Sequence, residues 1–452
     1  MKIPVSMNDK ISGFFFFGIS FFLCSCAYSQ AFKIDIQAIT PLSVSGQNNR
    51  KVGYSLVDRE TTGIRFAQEL SNGLRRKNRV LLLGSGVGVF DFDFDGRNDI
   101  LFLKAEGKNE LYRNLGGFNF ERILGAAGMA LPHNYSTGVS IADVNNDGFK
   151  DVIISTIDEG PKLFICEGSG TYQQKSRPGF PKIGGAISGV FGDIDGDGDL
   201  DFYQAMFREN SIKDNRSLIG DLKVDQKGSW IVPQSLRHRL VSTRNLKGQP
   251  MLMEKGREDQ LFINNGAGQF DKIEPKEYFH PILNRNDESP LDGWTLSACF
   301  HDFNRDGYLD MYSCSDFLSP DRFWVNNGKG GFSELSWPFI PKTSYSSMDV
   351  AWGDLNNDGL EDFFVVDMLA RKREDRIRQT ANMGPNVWMT WANGFNNQVM
   401  RNTLYRNRGD GSFSEIALKS NLAASDWSWT TRFEDVDLDG LLDIIVGNGT
   451  PH

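Results

Sequence analysis

The chain has 452 residues, enough for one large domain or two to three smaller ones, with 40% apolar and 24% charged residues as in ordinary soluble proteins. Its formal charge of -9 argues against a nucleic-acid binder, which would show a basic face, and suits a protein whose acids hold metal. Forty-seven glycines and 34 phenylalanines point to turn-rich β architecture.

Residues 1–26 read as a targeting segment. Lys2 and Lys10 precede the apolar run FFFFGISFFL (Phe14 to Leu23), which is too short to span a bilayer as a helix. The LCSC that follows resembles a bacterial lipobox, with Cys26 as the acylated first mature residue. The alternative is cleavage after Ser29 and a soluble secreted product. Either route predicts export, with the outer membrane or cell surface as the destination of a lipoprotein and the periplasm or medium otherwise. Residues 27–59 form an N-terminal segment, and the stretch from about Phe32 to Phe66 can close a ring by supplying its missing strands. Export sets an oxidising expectation for Cys166, Cys299 and Cys314. Cys299 and Cys314 flank one acidic loop at near-symmetric offsets, so they read equally as a disulfide across a hairpin and as two buried thiols.

From residue 60 the chain repeats itself. DFDFDGRND from Asp91 recurs as DVNNDGFKD (Asp143), DIDGDGDLD (Asp193), DFNRDGYLD (Asp302), DLNNDGLED (Asp354) and DVDLDGLLD (Asp435). Each copy lies between two short apolar runs, which parses as strand, acidic loop, strand. Acids this close repel one another unless a cation sits among them. Calcium takes six to eight oxygens, and acids at positions 1, 3 and 5 of a tight loop converge on such an ion. Position 7 can add its backbone carbonyl, Gly at position 6 permits the sharp turn, and the acid at position 9 closes the shell. The expected ligands are therefore Asp91, Asp93, Asp95, Arg97 and Asp99 in loop one, and Asp143, Asn145, Asp147, Phe149 and Asp151 in loop two. Loop three offers Asp193, Asp195, Asp197, Asp199 and Asp201, and loop four offers Asp302, Asn304, Asp306, Tyr308 and Asp310. Loop five offers Asp354, Asn356, Asp358, Leu360 and Asp362, and loop six offers Asp435, Asp437, Asp439, Leu441 and Asp443. Asn145, Asn304 and Asn356 each remove one negative charge, so their loops are expected to bind more weakly. An EF-hand starts alike but needs Glu at position 12 and flanking helices. Position 12 is Phe102, Ile154, Gln204, Ser313, Val365 and Val446, so that reading fails.

A second element alternates with the first: LYRNLGGFNF (Leu111), LFICEGSGTY (Leu163), LFINNGAGQF (Leu261), FWVNNGKGGF (Phe323) and LYRNRGDGSF (Leu404). Each reads as strand, glycine turn, strand. One acidic and one glycine hairpin make a four-stranded unit of about 50 residues, the signature of a β-propeller blade. The expected fold is all-β, a propeller of six to seven four-stranded blades over 60–452, with insertions at about 207–258 and 367–402. The first insertion holds eleven Lys/Arg against six Asp/Glu, and reads either as a partner- or glycan-contacting loop or as a surface hairpin. The second carries Trp388, Trp391 and Phe395, which could stack a sugar or simply pack. RGD at Arg408–Asp410 falls inside a glycine turn and needs no adhesion role. No catalytic residues emerge: the five histidines (His133, His238, His280, His301, His452) lack nucleophile–base or protease spacing, and GSGVGVF at Gly84 enters a strand rather than a helix.

These loops and turns resemble the FG-GAP/VCBS repeat family, also found in integrin α-chain heads. TGIRF (Thr62), VVDMLA (Val365), RNTLYRN (Arg401) and SDWSW (Ser425) bring the chain near the subgroup that carries a C-terminal ASPIC/UnbV domain, the cartilage-acidic-protein-like proteins. The resemblance spans about 60–450, and the chain ends before any such domain. It implies extracellular, calcium-stabilised binding scaffolds and no shared catalytic chemistry. About six Ca²⁺ are expected, with a protein or glycan ligand, attachment to the membrane through a lipid anchor, and no nucleic acid. The alternative function is a calcium-dependent, lyase-like polysaccharide-processing enzyme on the same scaffold.

Overall fold

The computed structural model describes residues 55–449 except 212–213, 215–221, 245–247, 283–288, 317–318, 336–337 and 378–397. Alternating apolar residues between glycine- and acid-rich turns build antiparallel sheets in chain order. Sheet one consists of Val87–Phe90, Asp99–Phe102, Glu110–Gly116 and Asn119–Ile123; sheet two of Ser136–Ala142, Asp151–Thr156, Lys162–Cys166 and Tyr172–Gln174. Sheet three is Ala186–Gly192, Asp201–Met206, Gln260–Asn264 and Phe270–Lys272. Sheet four is Thr295–His301, Asp310–Ser315, Arg322–Asn326 and Phe332–Leu335, with Phe279–His280 added parallel to its outer edge. Sheet five is Asp349–Gly353, Asp362–Val366, Thr403–Asn407 and Phe413–Glu415. Among the described residues sheet six has two strands, Ser428–Glu434 and Asp443–Asn448.

The sheets stack face to face as propeller blades do. Apolar side chains from neighbouring sheets merge into shared clusters: Phe90, Leu101 and Leu111 of sheet one meet Val152, Ile154 and Phe164 of sheet two. The first strands are also tied together by hydroxyls. Thr137 donates to Ala186 O (2.9 Å), Ser140 to Gly189 O (2.7 Å), Ser188 to Leu296 O (2.6 Å) and Ser297 to Asp349 (2.9 Å). The first three satisfy backbone carbonyls that the stacked strands shut off from water, and the fourth a carboxylate.

Strand order fixes which features share an end. Every acidic loop joins a first strand to a second, and every glycine turn joins a third to a fourth, so both lie at one end of the sheets. Both insertions join a second strand to a third and emerge at the opposite end. The first forms two short hairpins, Lys223–Val224 with Trp230–Ile231 and Leu240–Arg244 with Pro250–Glu254. Several of its cations are paired: Arg208 lies 2.9 Å from Glu254 and Arg257 pairs with Glu209 within the insertion, while Lys255 lies 3.1 Å from Asp292 beyond it. These three cations are therefore held by acids, but only the Lys255 pair draws on an acid outside the insertion, so the insertion's net basic excess largely persists. Trp388, Trp391 and Phe395 lie outside the described residues, as do 1–54 with Cys26 and most of the 27–59 segment. No described helix is long and apolar enough to cross a membrane.

Most of the segment read as ring-closing lies outside the described residues; of its described end, Ile64 and Phe66 pack on Val87, Ile100, Tyr112 and Phe120 of sheet one. Beyond it, a helix Asn72–Lys77, capped by Ser71, and a 3₁₀ turn Arg79–Leu83 bury Val80 and Leu81 in a cluster with Ile157, Ile187, Phe207, Leu296 and Val366. Those partners sit at the insertion end of sheets two to five, so this helical segment covers that end. Of the two readings of Cys299 and Cys314, the structure has the free, buried thiols and not the disulfide. Cys299 pairs in register with Tyr312 and Cys314 with Ser297, leaving the cysteines diagonal neighbours, a spacing of about 7–8 Å that exceeds usual disulfide reach.

Candidate metal centre

The six loops share one backbone. Gly96, Gly148, Gly198, Gly307, Gly359 and Gly440 at position 6 have φ between 83° and 92°, where a Cβ would be strained. Position 4 is left-handed as well, even at Phe94, Arg305 and Leu438, with φ of 62°, 61° and 57°. The position-1 carboxylate holds this turn in place. Asp302 accepts from Asp306 N (3.1 Å) and Gly307 N (2.9 Å), and Asp91, Asp143, Asp354 and Asp435 do the same in their loops. Position 5 then accepts the position-7 amide, as Asp306 does from Tyr308 N (2.9 Å).

The position-9 acids stand at the start of the second strand, buried in loops one to five (Asp99, Asp151, Asp201, Asp310 and Asp362) and exposed in loop six (Asp443). Asp201 accepts from Ile194 N (3.0 Å) through one oxygen and from Asn264 N (2.8 Å) of the glycine hairpin through the other. Asp99 and Asp151 repeat this arrangement. Burial pushes Asp99, Asp151 and Asp362 up to about 6, and Asp201 and Asp310 up to about 7. Position 9 is therefore a structural tie between loop and hairpin as well as a candidate ligand.

The donor set suits a hard cation. In loops one, three and six, oxygens of Asp91, Asp93 and Asp99, of Asp193, Asp195 and Asp197, and of Asp435, Asp437 and Asp443 lie within 4.8 Å of one another. Asp93 Oδ1 and Asp310 Oδ2 are buried oxygens without a hydrogen-bond donor among the described residues. Oxygen-only donors on a tight loop match calcium rather than a soft transition metal. Loops two and four differ: Asn145 Nδ2 donates to Asp147 (2.9 Å) and Asn304 Nδ2 to Asp306 (3.0 Å), so an amide already bridges the position-5 acid. In loop five Asn356 Nδ2 donates instead to Asp362 (3.2 Å).

Position 7 has a second use that the spacing did not reveal. Its side chain rests on a glycine of the hairpin in the same sheet: a Cβ on Gly168 would stand 2.7 Å from Phe149, and one on Gly328 would stand 2.5 Å from Tyr308. The first glycine of each hairpin is thus a contact surface for the loop. Also missed were Arg113 and Arg406, which reach from the hairpin strands to Asp93 and Asp95 and to Asp358. The sequence signal for both is LYRN, which the hairpins of units one and five carry and those of units two, three and four lack.

The FG-GAP-like repeat family model matches residues 91–154, 143–203, 302–365 and 387–446, stretches that together contain all six loops. Cartilage acidic protein 1 of Mus musculus is 26% identical over 267 residues, covering 58% of this chain and 34% of that protein. The Homo sapiens protein of the same name is 26% identical over 267 residues, covering 58% and 33%. The chain thus spans about a third of the length of the curated relatives it matches. Among solved structures, an Agrocybe aegerita lectin described as recognising non-reducing terminal N-acetylglucosamine shares 14% identity over 80% of this chain and 85% of its own, at a TM-score of 0.32. The V. cholerae biofilm matrix protein Bap1 shares 12% over 82% and 66%, at a TM-score of 0.31. Both likenesses are too distant to bear on function.

Proposed function

The chain belongs to the FG-GAP-like repeat family, and from that premise we propose that it is an exported calcium-binding propeller that binds a protein or glycan at the cell envelope. The observation that carries the calcium reading is the loop geometry, in which six copies hold a left-handed glycine in one turn and three of them, loops one, three and six, bring acid oxygens together. The calcium is structural in this reading. It sits where loop, second strand and hairpin meet, and offsets the repulsion among acids that the fold presses together.

Binding is assigned to the insertion end. Connections carried on a rigid scaffold are where specificity accumulates, and this end gathers both insertions and the helical cover. The lipid anchor at Cys26 would hold the propeller at the envelope. The lyase alternative needs a cluster of basic side chains beside an accessible calcium, and three cations of the first insertion, Arg208, Lys255 and Arg257, are instead paired with acids.

The test is thermal unfolding of the chain lacking residues 1–26 in EDTA, in 5 mM Ca²⁺ and in 5 mM Mg²⁺. Calcium is expected to raise the midpoint by ten degrees or more, as binding linkage across several sites implies, with little effect of magnesium. Equal midpoints in all three would remove the calcium reading.

A further inference from the structure

We propose that Arg113 and Arg406 act as built-in counter-ions of loops one and five, so that these two loops hold a cation far more weakly than the others and fill last. The inference rests on the calcium reading above and deepens it by ranking the sites. The residue concerned is the one before the hairpin position whose backbone N–H donates to the position-9 acid. Asn114, Cys166, Asn264, Asn326 and Asn407 make that donation, at 2.7 to 2.9 Å. The residues before them are Arg113, Ile165, Ile263, Val325 and Arg406. The strand therefore points an arginine at the loop in units one and five, and an apolar side chain in units two, three and four.

The contacts follow from that placement. Arg113 Nε lies 2.5 Å from Asp93 Oδ2, and its NH2 lies 3.1 Å from Asp95 Oδ2. Arg97 also pairs with Asp95, so two guanidinium groups face the carboxylates of loop one. In loop five Arg406 NH2 lies 3.4 Å from Asp358 Oδ2. These are the position-3 and position-5 acids that a bound ion would need. A guanidinium beside a carboxylate supplies the neutralisation a cation would otherwise bring, and repels an incoming Ca²⁺. Loop three is the opposite case: it carries five acids from Asp193 to Asp201, with Ile263 where the arginine would stand. Loop six likewise groups Asp435, Asp437 and Asp443 with no arginine among its described contacts. The expected order of filling is loops three and six first, then two and four, then one and five. Counting only the acids at ligand positions would have placed loop one, with four, beside loop six.

Calcium binding to the full-length chain by isothermal titration with equilibrium dialysis tests this. The wild type is expected to hold about four ions tightly, with two more at least about tenfold weaker. Arg113→Leu with Arg406→Leu should bring six ions into the tight class, and Arg113→Lys with Arg406→Lys should leave four. The wild-type stoichiometry stands as a test even if the leucine pair folds poorly. Six equivalent tight sites in the wild type, or no change in the leucine pair, would overturn the proposal while leaving the calcium reading intact. No binding by either protein would remove both.

Discussion

At the scale of single residues, the most consequential groups outside the loops are two buried aspartates that join neighbouring sheets. Asp259 accepts from Tyr203 (2.6 Å) and Met206 N (2.6 Å) of its own sheet and from Thr295 (2.6 Å) of the next. Asp321 accepts from Tyr312 (2.8 Å) and Ser315 N (2.9 Å), and from Ser347 (2.6 Å) ahead of sheet five. Burial pushes both carboxyls up to about 7, against an unfolded value of about 3.9. The native state therefore holds more protons than the unfolded chain between about pH 4 and pH 7. Their contribution is fully present below the unfolded value and is lost as pH rises through about 7, on the order of a few kcal/mol together. With calcium saturating, the midpoint is expected to fall between pH 5 and pH 8, and to fall less steeply in Asp321→Asn. An identical pH slope in that variant would show that Asp321 does not titrate in this window.

At the scale of elements, the repeated hairpin asparagine binds one unit to the one before it. Asn264 donates to Val144 O (2.8 Å) and to Leu200 O (3.2 Å); Asn326 donates to Ile194 O (2.8 Å) and Leu309 O (3.2 Å). One bond stays within the unit and the other crosses to the preceding acidic loop. Asn407 makes the same pair to Glu361 O and Phe303 O, both at 3.2 Å. Asn114 makes only the bond inside its own unit, to Asn98 O (2.9 Å). Asn326→Ala should thus strand two carbonyls and cost about 2–4 kcal/mol in denaturant unfolding, while Asn114→Ala costs under about 1 kcal/mol. Similar losses in both would show that the crossing bond contributes nothing. The asparagine was visible in the sequence as turn chemistry, and the fold was legible for the same reason: acidic loops, glycine turns and apolar runs are local patterns that repeat. Its reach into the previous unit was not legible, because it depends on which sheets stack. Nor was the burial of Val80 and Leu81, since a short helical segment outside the repeat has no second copy to betray its role. Arg113 and Arg406 fall between these cases, as their positions repeat but their effect on the loop appears only once the strand direction is known.

At the scale of the whole molecule, charge decides how the fold responds to its solvent. The formal charge is -9, and the motif acids crowd the loop end of the sheets. Six Ca²⁺ would add +12 and leave about +3, whereas four would add +8 and leave -1, so either filling nearly neutralises the chain. Without metal, the loop acids of neighbouring units repel one another across distances comparable to the screening length of about 10 Å at 0.1 M salt. Some contacts already offset this, as where Asn146 donates to Asp199 of the next loop (2.6 Å). In EDTA, raising sodium chloride from about 0.02 M to 0.5 M should therefore raise the unfolding midpoint by several degrees, because screening relieves repulsion that is strongest in the native state. In calcium the same change of salt should move it little. The contrast separates two origins of acid crowding. If salt stabilises the chain equally with and without calcium, the repulsion lies elsewhere on the surface and the loops are not where charge accumulates. If salt stabilises only the metal-free chain, the loops are both the source of the strain and the place where the cation relieves it.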